Sequence, residues 1–145
     1  MKNKIWFDMD GTIADLYGVE NWLPMLRASD PTPYAVAAPL LHLSTLARLL
    51  NKAQRAGYEI GVVSWLSKSS TPEYDEAVTA AKLWWLNKHL HSVNFDEIKI
   101  VAYGTPKNTL GTGILFDDEK PNRDAWGEGA YNPEMIFEIL SSLMA

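Results

Sequence analysis

Asp8 and Asp10 flank Met9 in Asp8-Met9-Asp10-Gly11-Thr12, directly after the apolar run Ile5-Trp6-Phe7. That run is β-rich and too short for a helix, so it reads as a buried strand that Gly11 ends in a turn. Residues two apart on an extended chain point the same way, which lets both carboxylates face one site. Carboxylates so placed can attack an electrophile, move a proton, or hold a hard cation through oxygen. An acidic turn after a strand is the plainer reading of the same residues, and the rest of the chain decides between them.

Further polar residues recur at comparable places. Ile60-Gly61-Val62-Val63 is followed by Ser64 and Trp65, and Ile114-Leu115-Phe116 by Asp117 and Asp118. A strand over 98–102 precedes the loop Gly104-Thr105-Pro106-Lys107. Taken singly, Ser64 could end a strand, Lys107 could be a solvated lysine, and the acidic pair could be a turn or a cap. In a parallel sheet, however, all of them lie at one C-terminal edge, where open α/β sheets bind their ligands.

The elements that must position these residues alternate. Leu43, Leu46, Ala47, Leu50 and Ala53 give a helical stripe over 40–55, and Gly57 follows as a stop. A second helix over 73–91 has Thr71 and Pro72 as cap and first-turn residue. A last helix opens at Asn132-Pro133 and turns Ile136, Phe137, Ile139, Leu140 and Leu143 inward. Residues 17–27 carry Trp22, Leu23 and Leu26 at mixed spacing around Pro24 and read as a short, broken helix. Asp30-Pro31-Thr32-Pro33-Tyr34 reads as a loop. Strands alternating with helices predict an α/β, Rossmann-like three-layer sandwich, its parallel sheet covered by helices on both faces.

At 145 residues, with 47% hydrophobic and 21% charged residues, the chain suits one soluble domain, 1–145, with a core of its own. Without cysteine it has neither disulfides nor thiolate metal sites. Lys2 and Lys4 could imitate a signal-peptide start, but Asp8 and Asp10 interrupt the apolar stretch that should follow. No run is long enough for a membrane span, so a cytoplasmic protein is expected. A net charge of −5 disfavours a general nucleic-acid surface and means that any phosphate site needs a local lysine or metal. His42, His89 and His91 have no partner at metal-ligand spacing and read as structural. Trp84-Trp85 reads as helix packing, while Trp22 and Trp65 could be packing or a substrate platform.

Together, D-x-D-G-T after the first strand, Ser64 after the second, Lys107 further on and Asp117-Asp118 after a later strand resemble the motif order of haloacid-dehalogenase-type phosphohydrolases. The resemblance spans nearly the whole chain. It implies a phosphomonoesterase that needs Mg²⁺ and works through an aspartyl-phosphate. Asp8 would be the nucleophile, and Asp10 would protonate the leaving oxygen and then activate water. Asp8, the Asp10 carbonyl and Asp117 would hold Mg²⁺. Ser64, Trp65, Gly11 and Thr12 would bind substrate, and Lys107 would offset the charge of nucleophile and phosphate. Asp118 would stand behind them, orienting Lys107 or a metal-bound water.

Little or no cap domain fits between the motifs; residues 15–39 could form a minimal lid. The site would then be open to large substrates or covered by a neighbouring subunit, as in a homodimer. Tyr103-Gly104-Thr105-Pro106-Lys107, Ser64-Trp65 and Asp117-Asp118-Glu119 resemble the 5′(3′)-deoxyribonucleotidase-like and phage-type members, with a shorter lid. A small phosphorylated substrate is therefore expected, with a nucleoside monophosphate as the leading choice. A phosphatase for nucleic-acid ends is disfavoured by the acidic charge. A phospho-accepting receiver domain is disfavoured because its acceptor aspartate should follow a middle strand, where this chain has Ser64.

Overall fold

The pleat of the first strand divides Ile5-Trp6-Phe7 between two cores: Ile5 and Phe7 join one buried cluster and Trp6 another. The computed structural model describes residues 3–144. β1 (Lys4–Phe7) is followed by β2 (Ala14–Asp15), a 3-10 turn (Leu16–Gly18), α1 (Trp22–Arg27), α2 (Thr32–Val36) and β3 (Ala38–Pro39). Then come α3 (Leu43–Arg55), β4 (Glu59–Trp65), α4 (Pro72–His89) and β5 (Glu97–Val101). A 3-10 turn (Lys107–Thr109) leads to β6 (Ile114–Phe116), α5 (Lys120–Trp126) and β7 (Ala130–Tyr131). After a further 3-10 turn (Pro133–Met135), α6 (Ile136–Leu143) completes the fold.

The main sheet is parallel throughout, in the order β5-β4-β1-β6-β7. One face buries Ile5, Phe7, Ile60, Val62 and Phe116 under Leu46 and Leu50 of α3, Trp85 and Leu86 of α4, and Ile136 and Leu140 of α6. The opposite face buries Trp6, Val63 and Leu115, with Leu110 and Trp126 against them. This is the α/β arrangement expected, with a difference in thickness. Among the described residues, the short α5 and the β5-to-β6 crossover, with its single 3-10 turn, cover the second face. Trp6 fills that thinner layer: a Cβ on Gly61 or on Gly111 would stand 2.6 Å from its indole, so both glycines make room for the ring.

Several boundaries differ from the sequence reading, chiefly at prolines. The stretch Pro31-Thr32-Pro33-Tyr34 is not a plain loop, because α2 begins at Thr32. Pro33 falls in its first turn, where a backbone N–H has no intrahelical acceptor to lose. Pro24 likewise sits in the first turn of α1, so the break expected over 17–27 resolves into a 3-10 turn followed by a regular helix. β4 runs two residues beyond Val63, so Ser64 and Trp65 lie within the strand. α5 and β7 were not expected from the sequence, being short and poor in periodic apolar residues.

β2 and β3 pair antiparallel, Ala14 opposite Pro39 and Asp15 opposite Ala38. They close the base of the excursion that carries α1 and α2. Leu16 and Tyr34 of this excursion share a small core with Tyr74 and Val78 of α4. Of the adjacent tryptophans, Trp85 is buried and donates to the Ala37 carbonyl at 2.7 Å, whereas Trp84 is half exposed with Lys88 over its ring. His42 caps α3, its Nδ1 accepting from the Thr45 N–H at 3.3 Å. No helix among the described residues is long and apolar enough to cross a membrane.

Candidate active site

Because β1 is central and parallel to its neighbours, Asp8 emerges between the ends of β4 and β6. Lys107 reaches it from the crossover: its Nζ donates to Asp8 Oδ1 at 2.9 Å and to Asp117 Oδ2 at 2.7 Å. Thr12 Oγ1 donates to Asp8 Oδ2 at 3.0 Å, so both oxygens of Asp8 are held. Asp117 also accepts from the Glu119 N–H at 2.9 Å and from Asn122 Nδ2 at 3.2 Å, while Arg123 donates to its carbonyl at 2.9 Å. α5 therefore has a clear task, since it supplies the groups that fix Asp117.

Oxygens of Asp8, Asp117 and Asp118 lie within 4.8 Å of one another. Burial, a hydrogen bond with Asp8 and the charges of Asp8, Asp117 and Glu119 push the Asp118 carboxyl up to about 8. Asp117 is also raised, by burial and by the Asp8 charge against the opposing pull of Lys107. Burial alone would lower Lys107, but the carboxylates of Asp8 and Asp117 more than offset it and hold its ammonium above the usual range. The cluster is short of positive charge, and its donors are all carboxylate oxygens. That donor set fits a hard divalent cation such as Mg²⁺. Asp118 belongs with Asp8 and Asp117 to the acidic group that could hold a cation, and its backbone N–H donates to Thr12 Oγ1 at 3.2 Å.

The raised Asp118 carboxyl makes stability depend on pH. Between the ordinary carboxylate range and about pH 8, folded metal-free protein keeps a proton on Asp118 that the unfolded chain has released. Rising pH therefore favours unfolding across that window. The melting temperature in EDTA falls by at least about 3 °C between about pH 5 and about pH 8.5, and millimolar Mg²⁺ removes the fall. Calorimetry showing a flat or rising profile in EDTA would contradict the placement of Asp118.

Above the cluster opens a cavity of about 860 Å³ lined by Asp8, Asp10, Lys107, Asp117 and Asp118 at one end. Its walls include Trp65 and Tyr103, whose ring centroids are 5.0 Å apart, and Tyr17 and Trp22, also at 5.0 Å. Leu16, Leu23, Leu26 and Tyr34 complete the side supplied by the excursion. Gly11, Thr12 and Ser64, expected to bind substrate, do not line this cavity. Thr12 is buried and ties Asp8 to the Asp118 N–H. Gly11 has φ +80°, and a Cβ there would stand 2.2 Å from Asp118 Oδ2, so only glycine lets the acidic turn close. Ser64 is fully buried and accepts a hydrogen bond from Lys82 Nζ at 2.6 Å.

Lys82 is the residue that the motif reading missed. It sits on α4 and is fully buried, with Nζ 2.9 Å from Asp10 Oδ2. The signal was its place on the helix: Tyr74, Val78, Lys82, Trp85 and Leu86 form the buried stripe of α4, and a lysine on that stripe must find partners inside.

No family model matches the sequence, and no characterised protein sequence matches it. Among solved structures the chain is similar to D,D-heptose 1,7-bisphosphate phosphatase from Burkholderia thailandensis, with a TM-score of 0.58 and 14% identity. The likeness covers 97% of this chain and 99% of that one. At this identity it establishes a shared fold: the chain has the Rossmann-like α/β architecture that its alternating strands and helices implied.

Proposed function

We propose that this protein is a Mg²⁺-dependent phosphomonoesterase that works through a phosphoryl group carried on Asp8, with a nucleoside monophosphate as its substrate. One observation carries the reading: Lys107 bridges Asp8 and Asp117 beside Asp118, at the end of a cavity large enough for a small ligand. Asp8 Oδ attacks phosphorus as the bond to the leaving oxygen breaks, and Asp10 gives that oxygen its proton. Asp10 then takes a proton from the water that releases phosphate from Asp8. Lys107 offsets the charge gathered where carboxylate and phosphoryl group meet.

Asp8, Asp117, Asp118 and the Asp10 carbonyl are the groups that would hold Mg²⁺, which when bound supplies charge neutralisation for an anionic phosphoryl group. The aromatic pairs Trp65–Tyr103 and Tyr17–Trp22 favour a flat base over a sugar alone. Residues 15–39 act as a minimal lid, supplying one of these pairs.

A panel of nucleotide, sugar and amino-acid monophosphates, assayed with Mg²⁺ and with EDTA, tests the reading. Nucleoside monophosphates are turned over best, and EDTA abolishes the activity. A flat profile of weak activities would remove the nucleotide, and undiminished turnover in EDTA would remove the metal.

A further inference from the structure

Burying an ammonium group without partners is strongly unfavourable, so a fully buried lysine needs a compensating set of acceptors. Lys82 has one acceptor for each of its three N–H donors: Asp10 Oδ2 at 2.9 Å, Ser64 Oγ at 2.6 Å and the Trp65 carbonyl at 2.9 Å. The face of the Tyr34 ring lies 4.9 Å from the same nitrogen. Its contacts therefore join α4, the end of β4, the excursion and the turn after β1 at one atom.

None of the three hydrogen bonds goes to the phosphoryl-facing cluster, whose charge is handled by Lys107. Of the two lysines, only Lys82 meets the residue assigned to proton transfer. Asp10 Oδ2 is taken by Lys82, no other side-chain donor is bonded to Asp10 among the described residues, and Asp10 lines the cavity.

We infer that Lys82 is the positioning residue for Asp10: it anchors Oδ2 so that Oδ1 is the oxygen presented to the leaving group. As the proton passes from Asp10 to the leaving oxygen, the charge that develops on Asp10 falls against the Lys82 ammonium. Ser64 belongs to the same device. It acts as an acceptor that fixes the lysine, not as a phosphate holder.

This role rests on the phosphoryl-transfer reading above, and leaving-group dependence separates the two. kcat/KM runs through the breaking of the ester bond. There, a p-nitrophenolate needs little help from an acid, whereas an alkoxide needs all of it. In Lys82→Met, kcat/KM for p-nitrophenyl phosphate stays within about ten-fold of wild type, while that for an alkyl phosphate falls by at least about 100-fold. In an Asp10→Asn background the same substitution adds less than about three-fold, because there is no proton donor left to position.

Lys82→Gln, which keeps two N–H donors at the site, is read in the same assays and carries the test if the methionine variant does not fold. An equal loss on both esters, or a fully additive loss in the double variant, overturns the role of Lys82 while leaving the phosphatase reading intact. Wild-type protein that turns over neither ester overturns both.

Discussion

An Asp8→Asn variant folds but turns over no phosphate monoester, with kcat reduced on the order of 10⁴-fold or more. The substitution keeps the shape of a side chain whose two oxygens are already held, by Lys107 and Thr12, so the packing around it changes little. What it removes is the nucleophile. An amide oxygen is far less able to form the covalent bond to phosphorus than a carboxylate, and no other side chain in the cluster takes its place at the end of the central strand. Acid-quenched wild-type protein incubated with ³²P-labelled substrate and Mg²⁺ carries hydroxylamine-labile label, as an acyl phosphate must, and Asp8→Asn carries none. Label of equal intensity on the variant, or turnover within ten-fold of wild type, would move the nucleophile elsewhere.

Replacing Lys107 with methionine damages stability and activity together. Lys107 is 3% exposed and is the cation shared by Asp8 and Asp117, so its removal leaves buried carboxylates facing one another without a counter-charge. Breaking a buried pair on one side costs about 3–5 kcal/mol, which for a domain of this size lowers the melting temperature on the order of 10 °C. Mg²⁺ recovers part of this loss, since a cation bound only by the folded state stabilises it by about 2.7 kcal/mol at 100 times its dissociation constant. Activity does not recover to the same extent: kcat/KM stays down by about 10²–10³-fold, the usual loss when one preorganised group facing developing charge is removed. Thermal melts with and without Mg²⁺, paired with steady-state kinetics, check both halves. A melting temperature unchanged in EDTA would mean that the carboxylates are neutralised by some other group.

What could be read from the sequence, and what could not, follows from where each residue's partners lie. Asp8 and Asp117 could be located because strand ends are marked locally, by short apolar runs that stop at polar residues, whereas Lys107 lies in the β5-to-β6 crossover and was singled out by its place in the motif order. The parallel topology then brings those ends together. The run Ile5-Trp6-Phe7 was legible as a buried strand, and the structure adds that its pleat sends Ile5 and Phe7 to one core and Trp6 to the other. Ser64 was located but its partner was not, because a hydroxyl at a strand end looks the same whether it meets a ligand or a lysine from a helix 18 residues on. Lys82 escaped because helices carry lysines routinely. Only its coincidence with the stripe of Val78, Trp85 and Leu86 set it apart. α2 was lost to its prolines, which forbid a helix interior but are welcome in a first turn. Trp22 and Trp65 stood out as possible platforms, but their ring partners Tyr17 and Tyr103 did not, and the Trp65–Tyr103 pair forms only through the tertiary fold.

The central place of β1 in the sheet also governs the order in which the molecule can assemble. One of β1's two neighbours, β6, lies more than a hundred residues further along the chain, and Lys107 is 99 residues from Asp8. Pairing of this kind closes large loops and is slow compared with helix formation or a hairpin. Until the crossover and β6 have docked, one edge of β1 has no strand beside it and the Asp8 carboxylate has no ammonium to meet. Docking of that crossover and β6 therefore fills the second side of β1 and gives Asp8 its counter-charge in a single event, so a chain that stalls before it holds neither a finished core nor a working nucleophile.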